Sequence, residues 1–102
     1  MEKQLTGQAT PEQIEQWKKD HGAVYAVEVD GHVCYLRKPD RAVMACASVA
    51  LKDSPFQYLE EIFNNCKVGG SDIFDTNDDY FFAALQHVNA LVELKKADIV
   101  KL

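Results

Sequence analysis

The 102-residue chain predicts an α+β fold in a single domain, and three observations carry that prediction. Two apolar runs meet at Asp30-Gly31, the dipeptide that fills both positive-φ positions of a type I′ hairpin turn. Two segments, Thr10-Pro11-Glu12-Gln13 and Ser54-Pro55-Phe56-Gln57, open with the same cap, Pro and returning Gln that start helices. From Phe81 onward, apolar residues recur at spacings of three and four. Helices on a small antiparallel unit form an α+β arrangement, and a chain of this length encloses one core.

The opening residues, 1 to 9, show no periodicity and are expected to be flexible. The first helix is placed at about Pro11 to Asp20, with Ile14 and Trp17 as its apolar stripe and His21-Gly22 as its stop. The hairpin follows, about Ala23 to Val29 and His32 to Arg37. A two-residue loop sets Val29 opposite His32, Val27 opposite Cys34 and Tyr25 opposite Leu36 on the core face. Val24, Ala26, Glu28, Val33, Tyr35 and Arg37 then share the other face. That face is partly apolar, so either another element or a partner must cover it.

Pro39 cannot extend a ladder, and Asp40 is a good N-cap, so Arg37-Lys38-Pro39-Asp40-Arg41 reads as a strand-to-helix joint. The second helix, about Arg41 to Leu51, carries a stripe of Val43, Met44, Ala47 and Leu51, with alanines that would let it approach the hairpin. The third, about Pro55 to Cys66, carries Phe56, Leu59, Ile62, Phe63 and Cys66, and Asn64-Asn65 and Gly69-Gly70 are read as its end. Ser71 to Thr76 reads as a loop with a few extended residues near Ile73-Phe74. A fourth helix, about Asn77 to Ala97, starts from a Thr76 cap with Asp78 and Asp79 in its first turn, where the macrodipole favours acids, and Lys95-Lys96 suit its last turn; the local pattern leaves open a break near Asp98 or continuation through Ile99.

The net charge is −5, which disfavours a general nucleic-acid binder, because phosphate affinity comes from clustered Lys and Arg. No apolar run reaches the roughly 20 residues of a membrane span, and Met1 to Thr10 lacks a signal-peptide core. A cytoplasmic protein is expected, with no membrane association. Cys34, Cys46 and Cys66 are odd in number and widely spaced, so they read as small buried hydrophobes and not as a disulfide framework.

Chemistry is hard to find. His21, His32 and His87 have no neighbour at a metal-ligand spacing. Asp72, Asp75, Asp78 and Asp79 lack the ligand order and central glycine of an EF-hand. Gly69-Gly70 lacks the remainder of a phosphate-binding fingerprint. No catalytic residue, metal or cofactor is therefore expected. What remains is surface: Trp17, Tyr35, Phe56, Phe74, Tyr80 and Phe82 exceed what a small core obviously needs, and Phe82 lies off the stripe of its helix. The candidate partner-binding residues are Tyr35, Arg37, Lys38, Arg41, Phe74, Tyr80 and Phe82.

Tyr35-Leu36-Arg37-Lys38-Pro39-Asp40-Arg41 with the alanine-rich helix after it, Asn65-Cys66 before Gly69-Gly70, Asp78-Asp79, and the closing Leu91-Val92-Glu93-Leu94-Lys95 resemble short prophage-encoded proteins, the tail assembly chaperones of long-tailed bacteriophages. The likeness spans roughly Val24 to Leu102. It implies a cytoplasmic, non-enzymatic protein that coats a hydrophobic tape measure protein during tail assembly, binds through apolar and aromatic surface, and self-associates to a homo-oligomer. The strong hairpin departs from the all-helical members and leaves another small morphogenesis protein, such as a minor tail component, as an option. A reading from a different class is a regulatory or adaptor module that binds an anionic ligand or nucleic acid through Arg37, Lys38 and Arg41. A third, an enzyme using Cys34 or Cys66, requires a thiol of depressed pKa.

Overall fold

A computed structural model of the chain describes residues 5–92 and 97–102. Its first helix, α1 (Pro11–His21), begins as the capping grammar requires: the Thr10 hydroxyl accepts from the Gln13 N–H, and the Gln13 side chain accepts from the Thr10 N–H at 2.9 Å. β1 (Val24–Val29) and β2 (His32–Arg37) form the hairpin in the expected register, Val29 to His32, Val27 to Cys34 and Tyr25 to Leu36. Asp30 at φ 49° and Gly31 at φ 84° occupy the two left-handed turn positions.

A third strand, β3 (Lys67–Gly70), adds antiparallel to β2, giving the order β1-β2-β3. Gly69-Gly70 is therefore strand, not the helix terminator expected from sequence. A Cβ on Gly70 would lie 2.5 Å from the Cys34 Cα and 2.6 Å from the Val33 carbonyl oxygen, so only glycine allows the two backbones this close. Val68 is skipped by the pairing, a register shift opposite Tyr35 and Leu36. Leu5 to Ala9, part of the segment expected to be flexible, is tied to the same sheet. Thr6 N–H donates to the Gly31 carbonyl at 2.9 Å, and Val33 N–H donates to the Thr6 carbonyl at 3.0 Å. Met1 to Gln4 lie outside the described residues.

The helices that follow β2 fall into two groups. α2 (Arg41–Leu51) and α3 (Pro55–Cys66) pack chiefly against each other as a helical hairpin and not on the strands, and of the α2 alanines only Ala47 is buried. Only Val43 and Ala47 of α2 are buried; Leu51, expected on the stripe, is exposed. After β3 comes α4 (Ile73–Thr76) where a loop was expected, then α5 (Asp78–Leu85), capped by the Asn77 side chain and not by Thr76.

The long last helix expected from sequence does not form. It stops at Leu85, turns at Gln86-His87, and continues as a 3-10 turn over Val88–Leu91, with Ala90 N–H donating to the His87 carbonyl at 3.1 Å. In a 3-10 turn residues three apart eclipse, so Val88 and Leu91 both enter the core. Residues 97–102 are not helical, and the Glu93 to Lys96 part of the expected helix lies outside the described residues.

One hydrophobic cluster joins the layers: Val27, Cys34 and Leu36 from the sheet meet Ile62, Phe63 and Cys66 of α3, with Phe74, Leu85 and Val88 closing it. The second sheet face is covered within the chain over β2. Trp17 of α1 stacks on Tyr35 with ring centroids 5.3 Å apart, and the Tyr35 hydroxyl accepts from the Ala9 N–H at 3.1 Å. Among the described residues no helix is long and apolar enough to cross a membrane.

Candidate interaction surface

The residues singled out by sequence separate into four groups once placed in the fold. Tyr35 and Phe74 are buried: Tyr35 lies under Trp17 as above, and Phe74 has no exposed surface, so neither presents its ring to a partner in this fold. Tyr80 is half-buried. Its ring meets His32 edge-on at 5.2 Å and Phe74 at 6.1 Å, and its hydroxyl donates to Asp30 Oδ2 at 3.3 Å. Loss of solvent around that phenol, with the carboxylate beside it, raises its pKa.

The basic joint is built mainly as structure. Arg37 is mostly buried, pairs with Asp40 at 3.4 Å, and donates to the Asn65 carbonyl at 3.2 Å, an acceptor near the C-terminus of α3. A guanidinium there satisfies an orphan carbonyl and complements the helix dipole. Asp40 Oδ1 accepts from the Val43 N–H at 2.9 Å, which with Arg37 holds its carboxyl below the ordinary value. The anion-binding position at the start of α2 is thus filled by the chain's own carboxylate. Lys38 and Arg41 remain exposed.

His32 is not the free surface residue its turn-adjacent position suggested. Its Nδ1 lies 2.9 Å from the Ser71 Oγ, and that oxygen also accepts from the Ile73 N–H at 3.3 Å. A hydroxyl donating to the ring and accepting from the backbone is satisfied on both sides. Ser71 is itself buried, so this pair links β2 to the start of α4. Cys34 and Cys66 are buried, and loss of solvent pushes the Cys34 thiol up to about 11 and raises Cys66 also, opposite to what a nucleophile needs. Cys46, expected to be buried, is exposed. Among the described residues no three His, Cys, Asp or Glu side chains converge as a metal site.

Among the large apolar side chains that the fold leaves exposed, with Tyr25, Val49 and Leu51, is a pair of phenyl rings in mutual contact. Phe56 on the first turn of α3 and Phe82 on α5 are 43% and 47% exposed, with ring centroids 5.7 Å apart. Phe56 lies on this surface although its spacing marks it as core. The buried residues of α3 are Ile62, Phe63 and Cys66, all in its second half, and Phe56 at its start is left outside the core cluster. Phe82 is outside because Phe81, one residue earlier, turns inward onto Phe63 at 5.2 Å.

The two rings form a ridge between two clefts. On one side a cleft of about 350 Å³ is lined by Leu59 and Leu85, with Gln86 at its rim. On the other side a cleft of about 500 Å³ is lined by Glu60, Asn64, Asp75 and Asp78 together with the rings of Phe74 and Phe81. Asp75 is held at 2.7 Å by Lys67 Nζ, which also donates to the Ser71 carbonyl. Among the described residues Glu60 and Asp78 have no ion-pair partner. A separate cleft of about 390 Å³ lies between β1 and the 3-10 turn, lined by Tyr25, Val27, His87 and Leu91 among others.

Compared with protein-family models, with curated proteins and with solved structures, the chain gives no significant match to any.

Proposed function

We propose that this chain is a non-enzymatic protein of phage morphogenesis, a tail assembly chaperone-like protein that binds a tape measure protein in the cytoplasm. The observation that supports the reading is the Phe56–Phe82 ridge. Two large rings in mutual contact stand nearly half in water on an otherwise acidic chain. Large side chains of this kind anchor protein interfaces. If each ring loses roughly 90 Å² of exposed surface on contact, burial of the pair contributes about 4.5 kcal/mol at about 25 cal/mol per Å², before the entropic cost of association. The surrounding acidic charge keeps such a surface soluble between encounters.

The reading of Arg37, Lys38 and Arg41 as a grip for an anion or nucleic acid gains no support from the geometry. Arg37 is committed to Asp40 and Asn65, and two exposed cations do not outweigh a net charge of −5.

The test is to search the neighbouring genes for a long, helical, apolar-rich tape measure protein and to co-express that protein with this chain. The wild-type chain should hold that protein soluble and co-purify with it, and the Phe56→Ser/Phe82→Ser variant, folded by circular dichroism, should not. A neighbourhood with no such gene, or equal co-purification by the variant, would overturn the assignment.

A further inference from the structure

The ridge and its two clefts restrict what can sit there. The walls are helical, α3 supplying Phe56, Leu59 and Glu60, α5 supplying Asp78 and Phe82, and the short α4 adding Asp75. Helix walls have their backbone groups paired internally, so this surface has no sheet edge to which a strand could add. The fitting shape is a third helix laid across the Phe56–Phe82 ridge, reaching the cleft on either side.

Charge then selects the helix. One flank of the ridge is apolar and the other carries the carboxylates Glu60 and Asp78; among the described residues these two are unpaired and neither cleft has a Lys or Arg in its lining. An amphipathic helix with an apolar stripe and a basic border meets both flanks at once. A second copy of this chain would bring its own acidic cleft and a further charge of −5, so like charges oppose self-pairing at this face.

We propose that the occupant is a cationic amphipathic helix, its apolar stripe over Phe56 and Phe82 and its Lys or Arg border against Glu60 and Asp78. This names the partner's chemistry for the surface assigned above and rests on that assignment.

The probe is a synthetic twenty-residue Leu/Lys amphipathic helix, compared with a Leu/Glu version of the same pattern and with a scrambled Leu/Lys sequence. Binding to the full chain is measured by fluorescence anisotropy across a salt series. The Leu/Lys helix should bind, weaken with salt, and exceed both controls. Phe82→Ser should weaken it about thirtyfold or more, as for an interface anchor. Glu60→Gln/Asp78→Asn should weaken it by about three- to tenfold and flatten the salt dependence.

If the Leu/Glu helix binds as tightly and still depends on Phe82, the docking surface stands and the cationic partner is refuted. If no helix binds in a Phe82-dependent way, the surface itself is refuted. Sedimentation of the chain alone covers the remaining occupant: a dimer that Phe82→Ser converts to monomer would assign the ridge to a second copy and overturn the proposal.

Discussion

Replacing Gly70 by alanine tests the least obvious part of the fold, the close approach of β3 to β2. Two penalties combine at this position. The residue sits at φ +118°, where a side chain costs about 1–3 kcal/mol. The new Cβ would lie 2.5 Å from the Cys34 Cα, so the strands must separate by about 1 Å to reach ordinary contact. That separation stretches the 2.9 Å bond from Ser71 N–H to the Val33 carbonyl and loosens Cys34 in the core. Together these should remove about 4 kcal/mol, a large part of the roughly 5–15 kcal/mol that holds a small domain. Gly31→Ala is the matched control, because Gly31 is also left-handed, φ +84°, but has open space where the Cβ would go. It should lose only about 1–2 kcal/mol. Urea unfolding followed by circular dichroism reads both, and with a slope of about 1–3 kcal/mol per molar the midpoints of the two variants should differ by roughly 1 M or more. Equal midpoints would mean that β3 does not lie against β2 at Gly70, and the three-stranded sheet would have to be abandoned.

Three further outcomes follow from the geometry. Iodoacetamide at neutral pH should label Cys46 in the native protein and reach Cys34 and Cys66 only on unfolding; native labelling of Cys34 as fast as Cys46, read by mass spectrometry, would contradict its burial and its thiol pKa of about 11. Asp40 has a depressed carboxyl pKa, so its charge contributes stability that is fully present above the unfolded value of about 3.9 and lost as pH falls through the lower folded value. Asp40→Asn, which keeps a capping side chain, should therefore be less stable than wild type at pH 6 and converge with it in acid; a gap that persists at the lowest pH would show that the charge is not the cause. Arg37→Ala should lose about 1–2 kcal/mol because it frees the Asn65 carbonyl and the Asp40 carboxylate, whereas Lys38→Ala and Arg41→Ala should stay within about 0.5 kcal/mol. Equal thermal shifts for all three would return the basic segment to the status of a solvated patch.

The elements governed by neighbours in the chain are legible in the order of its residues. The Asp30-Gly31 turn sets the register of six residue pairs, and the Thr10 and Ser54 caps set two helix starts to the residue. Where the fold departs from local pattern, the departures share a cause. Lys67-Val-Gly-Gly has the composition of a helix stop and becomes a strand only because the outer edge of β2 is open to it. The apolar spacing of Phe81 to Val92 fits one long helix, yet the core is better filled by tightening its second half, which sets Val88 and Leu91 inward together. Of the candidate contact residues, Phe82 stands out correctly as off the stripe. Tyr35 and Phe74 look equally spare until α1 and α5 are placed over them, and Phe56 looks buried because its spacing matches that of residues farther along α3.

By itself the amino-acid order determined where the backbone turns, which ends of helices are capped, and which side chains share a face, because each depends on hydrogen bonds and dihedral preferences within a few residues. Only the packed chain decided that Arg37 closes the end of α3, that Ser71 meets His32 across the fold, and that Phe56 and Phe82 stand together in water between an apolar and an acidic cleft. Those outcomes depend on which distant surfaces run out of neighbours, and burial is a property of the assembled molecule that no local spacing encodes.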